Sequence, residues 1–124
     1  MNPGTDPLGP QASRLLKAAF TAFIELGTLP ARFQICAPES NCFAGTLIGN
    51  SLLEVKDAAD GQTLNVLLTQ DATGNRTITW PSNFRWPGGS TGVLSTSAGA
   101  KDLLCATYRR ETDEFYCTLL KGMA

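Results

Sequence analysis

Apolar side chains recur with a period of two from Ala31 onward, in short runs separated by turn-forming residues. Alternation with this period places successive side chains on opposite faces of a β-strand. The separators are rich in Gly, Pro, Asn, Asp and Ser, the residues that turns favour. The runs predict strands over Ala31–Cys36, Phe43–Ile48, Ser51–Lys56, Thr63–Gln70, Arg76–Trp80, Gly92–Thr96, Leu103–Arg109 and Glu114–Leu120. Short strands at this spacing predict a mainly β fold, a β-sandwich or jelly-roll-like domain. We find no internal repeat.

The first 27 residues differ in character from the rest of the chain. Residues 1–11 contain three prolines and two glycines, which disfavour both a helix and a central strand, so they predict an extended arm. Residues 13–26 predict a short amphipathic helix between a Ser13 cap and Gly27. A strand over residues 21–26 is the alternative, because apolar residues alternate there too. We therefore divide the chain into an arm with an amphipathic segment (1–27) and a β-sandwich domain (28–124).

The composition of the chain limits the classes of partner that we expect. The chain has 124 residues, a net charge of −1 and no histidine. Because this charge provides no basic patch, we expect neither nucleic acid nor an anionic membrane as a partner. The N-terminus lacks the positive start and apolar middle of a secretory signal, so we expect synthesis in a cytoplasm.

The sequence also predicts a protein that is not an enzyme. The absence of histidine removes the commonest general base and the commonest metal ligand. Most carboxylates fall in predicted turns, and none forms a recognisable acid/base pair. Gly88 and Gly89 lack the lysine of a phosphate-binding loop and predict a wide turn. We therefore expect no cofactor, no metal and no catalytic residue.

Four cysteines occur as two close pairs, Cys36 with Cys42 and Cys105 with Cys117. Buried free thiols are the simplest interpretation, because a free cysteine behaves as a small apolar residue. Disulfides within each pair are the alternative, and the spacings do not match a zinc site. Cys105 and Cys117 lie on the two arms of one predicted hairpin whose register the sequence leaves open. A two-residue turn at Thr112 would place Cys117 opposite Tyr108.

A distinctive motif, QDATGNRTITWPSNFRWPGG, spans residues 70–89 and contains Trp80 and Trp86, each followed by proline. It follows a strand-like run and precedes a Ser/Thr/Gly-rich stretch and a closing hairpin. This order resembles a small β domain of tailed-bacteriophage virion structural proteins, of the capsid cement or decoration type or the tail-fibre type. The resemblance covers roughly residues 27–121 and implies a structural or adhesive role without catalytic residues.

The resemblance and the short chain favour a capsid cement protein on the virion surface. Such a protein stabilises the assembled head by binding across neighbouring major capsid subunits. We expect a homotrimer, with a dimer as the other possibility. The residues predicted to form these interfaces are Pro7, Leu8, Pro10, Leu15, Leu16, Phe20, Phe23 and Ile24.

The alternative is a tail-fibre or receptor-binding module, including one that binds carbohydrate. Exposed aromatic faces can stack on sugar rings, although a tryptophan more often packs against a core. The sequence favours that structural role for Trp80 and, less strongly, for Trp86. The residues predicted to converge on a ligand under this alternative are Trp86, Asn83, Arg85 and Tyr108.

Overall fold

The computed structural model describes residues 22–123 and confirms a mainly β fold with two sheets. Two single-turn 3-10 helices interrupt the strands, at Ala37–Glu39 and Pro87–Gly89. The strands are β1 (Ile24–Leu29), β2 (Arg32–Cys36), β3 (Cys42–Leu47), β4 (Ser51–Lys56), β5 (Thr63–Gln70), β6 (Ile78–Thr79), β7 (Phe84–Arg85), β8 (Lys101–Arg109) and β9 (Glu114–Leu120).

The first six strands wind as a coil. The six-stranded sheet has the order β1-β3-β5-β8-β9-β7, and the three-stranded sheet has the order β2-β4-β6, so strands β1 to β6 alternate between the two sheets. In the larger sheet Ile24 pairs with Phe43, 19 positions later, and Phe43 pairs with Val66, 23 positions later. In the smaller sheet the corresponding steps are 20 and 27 positions. Coils of such unequal length are a solenoid-like arrangement that leaves no regular repeat in the sequence.

The predicted jelly-roll topology is wrong for the described residues. A jelly roll is built from antiparallel strands. Here the pairs β1–β3, β3–β5, β2–β4, β4–β6 and β7–β9 are all parallel, and only β5–β8 and β8–β9 are antiparallel. Parallel neighbours need a crossover connection, and each crossover here passes through a strand of the opposite sheet.

One hydrophobic core lies between the two sheets. Alternate residues of β5 point into it, as do alternate residues of β3, β8 and β9 from the same sheet. The smaller sheet contributes Phe33, Ile35 and Leu53 from the opposite side. The inward residues are almost fully buried, so each sheet provides the apolar cover that the other requires.

Buried polar side chains fix the corners of the coil. Gln70 is only 3 % exposed, donates to the carbonyl oxygens of Arg76 and Ser95, and accepts from the Arg76 amide. Asp102 is 2 % exposed and accepts three hydrogen bonds, from the Ser95 amide (2.6 Å), the Ser95 hydroxyl (2.8 Å) and the Gly122 amide (2.8 Å). These bonds satisfy loop backbone groups that have no strand partner.

The predicted helix at the start of the chain is wrong where the structure describes it. Ile24 begins β1, which pairs in parallel with β3 and crosses the division placed between residues 27 and 28. The alternating pattern of residues 23–26 prevails because it lets Ile24 and Leu26 pack against the core while Phe23 and Glu25 point outward. Leu29 of β1 lies over Gly45, where a Cβ atom would be 2.6 Å from Leu29 Cδ2. The predicted extended arm lies outside the described residues.

The other strand predictions are largely confirmed. Strands β4, β5 and β9 match their predicted limits, and β2, β3 and β8 differ by one or two residues at their ends. The strand predicted over residues 76–80 is reduced to two residues, and the one predicted over residues 92–96 is absent. Leu94 is still buried, but the backbone on either side bonds to side chains and turns instead of a neighbouring strand. Strand β7 was not predicted.

All four cysteines are free thiols. Cys117 is buried and pairs with Ala106, whereas Cys105 pairs with Thr118 and points to the opposite face of the sheet. Two side chains on opposite faces cannot meet in a disulfide, so this register does not accommodate the Cys105–Cys117 disulfide that the sequence left as an alternative. Phe115, not Cys117, lies opposite Tyr108, because the hairpin turn is longer than two residues. Cys36 and Cys42 are half-buried and unbonded.

We predict that Asp102→Asn lowers the free energy of unfolding by about 3 kcal/mol. The carboxylate accepts three hydrogen bonds, whereas the amide that replaces it turns an N–H group toward at least one of the same three donors. Chemical denaturation measures the loss. Ser95→Ala is the matched control, since it removes one hydroxyl donor and should cost about 1 kcal/mol. An Asp102→Asn variant as stable as the control would contradict the assigned role of the carboxylate.

We predict that Cys117 is the slowest thiol to be alkylated in the folded protein. Burial raises the pKa of the Cys117 thiol to about 12, so little reactive thiolate is present at about pH 8. Burial also raises the pKa of Cys105. Time-resolved alkylation read by peptide mass mapping measures the order, and denaturant should make all four thiols react alike. Recovery of a native Cys105–Cys117 disulfide would show that the hairpin register is different.

Candidate functional site

An aromatic cluster closes one end of the core. The rings of Trp80 and Trp86 have centroids 5.2 Å apart, and Phe84 lies 6.0 Å from Trp80. Phe84 continues the cluster to Phe115 at 5.1 Å, and Phe115 reaches Tyr108 at 4.7 Å. Tilted and offset contacts at these distances are favourable between aromatic rings. The cluster therefore fixes the loops around β6 and β7 against β8 and β9.

Both tryptophans pack in this cluster. Trp80 donates its indole N–H to the Gly92 carbonyl oxygen at 2.8 Å and packs against the buried core, which is the structural role that the sequence favours. Trp86 lies over Gly92, where a Cβ atom would approach the Trp86 ring to 2.8 Å. A larger residue at position 92 would therefore force the Trp86 ring to move. Trp86 keeps part of its surface exposed.

Three loops form a pocket of about 320 Å³ beside this cluster. They are the loops that connect β4 to β5, β6 to β7, and β8 to β9. The pocket combines polar groups with an aromatic and aliphatic wall. Its lining residues are Val55, Asp57, Ala58, Pro81, Asn83, Tyr108, Asp113 and Phe115.

A short hydrogen-bond network holds one wall of this pocket. The Tyr108 hydroxyl donates to the Asp113 carboxylate at 2.7 Å, and the Asn83 amide donates to the Asp113 carbonyl oxygen at 2.9 Å. The hydrogen bond to Asp113 and partial desolvation raise the pKa of the Tyr108 phenol above its ordinary value. The phenol therefore stays neutral and remains a donor at physiological pH.

Two aspartates that line the pocket have a left-handed backbone conformation. Asp57 has φ +60° and Asp113 has φ +53°, in the left-handed region that few residues other than glycine, asparagine and aspartate adopt. This conformation turns each loop sharply at a residue that lines the pocket. Carboxylates, an amide and a phenol arranged around an aromatic wall can accept and donate hydrogen bonds to a small polar ligand.

A second groove, of about 350 Å³, lies on the outer surface of β7 and β9. Arg85, Trp86 and Tyr116 line it, together with Pro87, Cys117 and Thr118. The Arg85 guanidinium donates to the Glu114 carboxylate at 2.6 Å and to the Ser82 carbonyl oxygen at 3.0 Å. The hydrogen bond from Arg85 lowers the pKa of Glu114. Arg85 is therefore committed to a contact within the protein.

The four residues predicted to converge on a ligand divide between these two depressions. Asn83 and Tyr108 line the pocket, whereas Arg85 and Trp86 line the groove. Sequence reasoning missed Asp57 and Asp113, which it attributed to turn chemistry. Their positions in the chain are 56 residues apart, so only the fold brings them to one pocket.

The predicted interface residues are mostly beyond the structure. Pro7, Leu8, Pro10, Leu15, Leu16 and Phe20 lie outside the described residues. Phe23 is 47 % exposed just before β1, and Ile24 is half-buried against the core. Of the two, only Phe23 presents a large apolar surface.

Residues 22–123 contain neither a metal-ion cluster nor a membrane-spanning helix. No group of three or more His, Cys, Asp or Glu side chains is placed to hold a metal ion. No described helix has the length and apolar character required to span a bilayer.

Comparison with known proteins shows the family to which the chain belongs. No curated protein matches it, and no solved structure matches it. A family model described as "Putative phage tail fibre C-terminal domain" matches residues 37–110, which is more than half of the chain. The matched segment runs from the helical turn after β2 through β8 and contains the double-tryptophan motif and two of the three pocket loops. The chain therefore belongs to this tail-fibre C-terminal domain family and is a structural protein of a bacteriophage virion.

Proposed function

We propose that this chain serves in the phage tail, as a fibre module that contacts the host cell. The observation that carries the proposal is the family match over residues 37–110. The sequence favoured a capsid cement protein bound to the major capsid protein. The family takes its description from the tail fibre, so the match supports the tail alternative and gives no support to the capsid surface, cement or decoration roles.

The proposed contact is a hydroxyl-rich saccharide of the host surface, held in the pocket beside Tyr108. Sugar hydroxyls both donate and accept hydrogen bonds, and the Asp57 carboxylate and Asn83 amide offer complementary groups. The Tyr108 and Phe115 rings supply an apolar wall for a ring face. A volume of about 320 Å³ suits one sugar unit, with the rest of a polymer outside.

The proposed role is binding without turnover. The sequence contains no histidine to act as a general base. The Asp113 carboxylate already accepts the Tyr108 hydroxyl, so one pocket acid is engaged by the protein itself. Release of reducing sugar from a polysaccharide by the purified chain would contradict this part of the proposal.

We predict that the protein is found on the tail, in few copies per particle. Gold-labelled antibody on purified virions, combined with quantitative mass spectrometry, measures both its position and its copy number. Label at the tail with a small copy number is the expected result. Label distributed over the head with hundreds of copies would restore the cement interpretation and overturn the tail proposal.

We predict that Asp57→Asn weakens saccharide binding by about tenfold or more, the loss of one charged hydrogen bond. Asparagine tolerates the left-handed backbone at this position, so the fold is preserved while the carboxylate is lost. Tyr108→Phe tests the second polar group of the pocket. Binding is measured on an array of bacterial surface polysaccharides and titrated by calorimetry for each positive spot.

Arg85→Gln in the neighbouring groove is the matched control, because it changes an exposed polar side chain outside the pocket. It should leave saccharide affinity unchanged. Loss of binding in Arg85→Gln with full binding in Asp57→Asn would place the ligand in the groove and refute the pocket assignment.

A further inference from the structure

Strand β4 is paired along its length on one side only. On the β2 side, pairing continues to Cys36 with Lys56. On the β6 side, pairing stops at Leu52 with Thr79. Because β6 is the edge strand of this three-stranded sheet, residues 53–56 of β4 have no strand neighbour on that side within the described part of the chain. These residues form an open edge inside the fold.

A proline explains why β6 stops where it does. Ser51 donates to the Thr77 carbonyl oxygen at 3.0 Å. If this parallel ladder continued, Leu53 would accept a hydrogen bond from the N–H of residue 81. Residue 81 is a proline, which has no N–H. The Pro81 carbonyl oxygen instead accepts from the Phe84 amide at 3.1 Å, so the chain turns away toward β7.

The open edge carries backbone groups that lack a strand partner. Successive residues of a strand point their N–H and C=O groups toward opposite neighbours. Leu52 donates to Ala31 on the β2 side, whereas Ser51 donates to the β6 side. Leu53 and Val55 therefore face the open edge. The Leu53 carbonyl and both backbone groups of Val55 have no strand to bond among residues 22–123, so water or a ligand must satisfy them.

A second depression, of about 380 Å³, lies where β6 would have continued. Residues 52–55 of β4 line one side of it, and residues 80–83 line the other. Three of its lining residues, Val55, Pro81 and Asn83, also line the proposed saccharide pocket. The two depressions therefore adjoin, and Val55 of the open edge belongs to both.

The lining of the second depression suits another sugar unit. It includes Glu54 and Ser82, whose side chains exchange hydrogen bonds with hydroxyl groups as the edge of Val55 does. Trp80 adds apolar surface on the loop side. Acidic residues line both depressions, and no Lys or Arg lines either of them. An acidic sugar would therefore meet like charges that a neutral sugar does not.

We propose that the open edge of β4 binds a second, neutral sugar unit, next to the unit held in the pocket. The ligand is then a neutral saccharide that the protein contacts over at least two adjacent units. Pro81 creates this second subsite, because it ends β6 and leaves the edge of β4 free. The inference rests on the proposed saccharide function of the pocket and adds the length and the charge class of the ligand.

We predict that the wild-type chain binds a disaccharide about tenfold or more tightly than a monosaccharide. The probes are the mono-, di- and trisaccharide fractions from partial hydrolysis of a polysaccharide that the chain binds on the array, titrated by NMR. Ser82→Tyr fills the second depression from an exposed position. It should lower the disaccharide affinity to that of the monosaccharide, with the melting temperature unchanged.

Glu54→Ala and Gln34→Ala form a matched pair for the same titration. The two residues are partners in the β2–β4 register, but only Glu54 lines the second depression. Glu54→Ala should weaken disaccharide binding severalfold, and Gln34→Ala should leave it at the wild-type value.

Hydrogen exchange at Val55 measures the open edge directly. In the free chain the Val55 amide should exchange about tenfold or more faster than the Glu54 amide, which faces β2. Saturation with disaccharide should slow exchange at Val55, and saturation with monosaccharide should not.

The outcomes separate this inference from the proposed function. Equal affinities for monosaccharide and disaccharide, or a Val55 amide that disaccharide does not protect, would overturn the second subsite and leave the pocket proposal standing. Binding confined to acidic saccharides would overturn the assignment of a neutral ligand. An array on which the chain binds no saccharide would refute the proposed function itself, and this inference with it.

Discussion

The core between the two sheets is the interaction on which the rest of the structure depends. Neither sheet is stable with its inner face in water, and strands β1 to β6 contribute to both sheets in turn. Every crossover of the coil therefore returns the chain to the same core. Burial of Ile35 and Leu53 from one side against Val66 and Leu104 from the other holds both sheets together.

This core also supports the end of the molecule at which the proposed binding pocket lies. The aromatic cluster extends the core beyond the strands, and Phe115 belongs to both. Tyr108 packs on Phe115 and donates to Asp113, so the pocket wall is fixed by contacts that begin in the core. A pocket held by three loops on such a base is preorganised, which reduces the entropy lost when a ligand binds.

The period-two pattern of the sequence was sufficient to predict most strands, because inward apolar residues alternate in β5 and β9. The pattern does not encode whether neighbouring strands are parallel, so it did not predict the coil. Successive turns of the coil differ in length, so they leave no regular repeat in the sequence. The helix prediction failed because the apolar residues of 21–26 also fit the period of two, and pairing with β3 decides for the strand.

The candidate site was predictable only in part, for a related reason. Tyr108 and Asn83 could be chosen as polar or aromatic residues near turns, and they do line one pocket. Asp57 resembles any turn aspartate in the sequence, and its place in the pocket follows from the crossover that brings the β4–β5 loop beside β8. Trp86 drew attention as a sugar-stacking residue, but much of its ring packs against Trp80 and Gly92.

The central claim is that this β domain recognises the host surface, and competition for adsorption tests it most directly. Host cells are incubated with the purified chain before phage is added, and the rate of phage adsorption is measured. We predict that the wild-type chain slows adsorption in proportion to its concentration, and that Asp57→Asn does so far less. Unchanged adsorption at every concentration of the chain, with no chain retained on the washed cells, would contradict the claim.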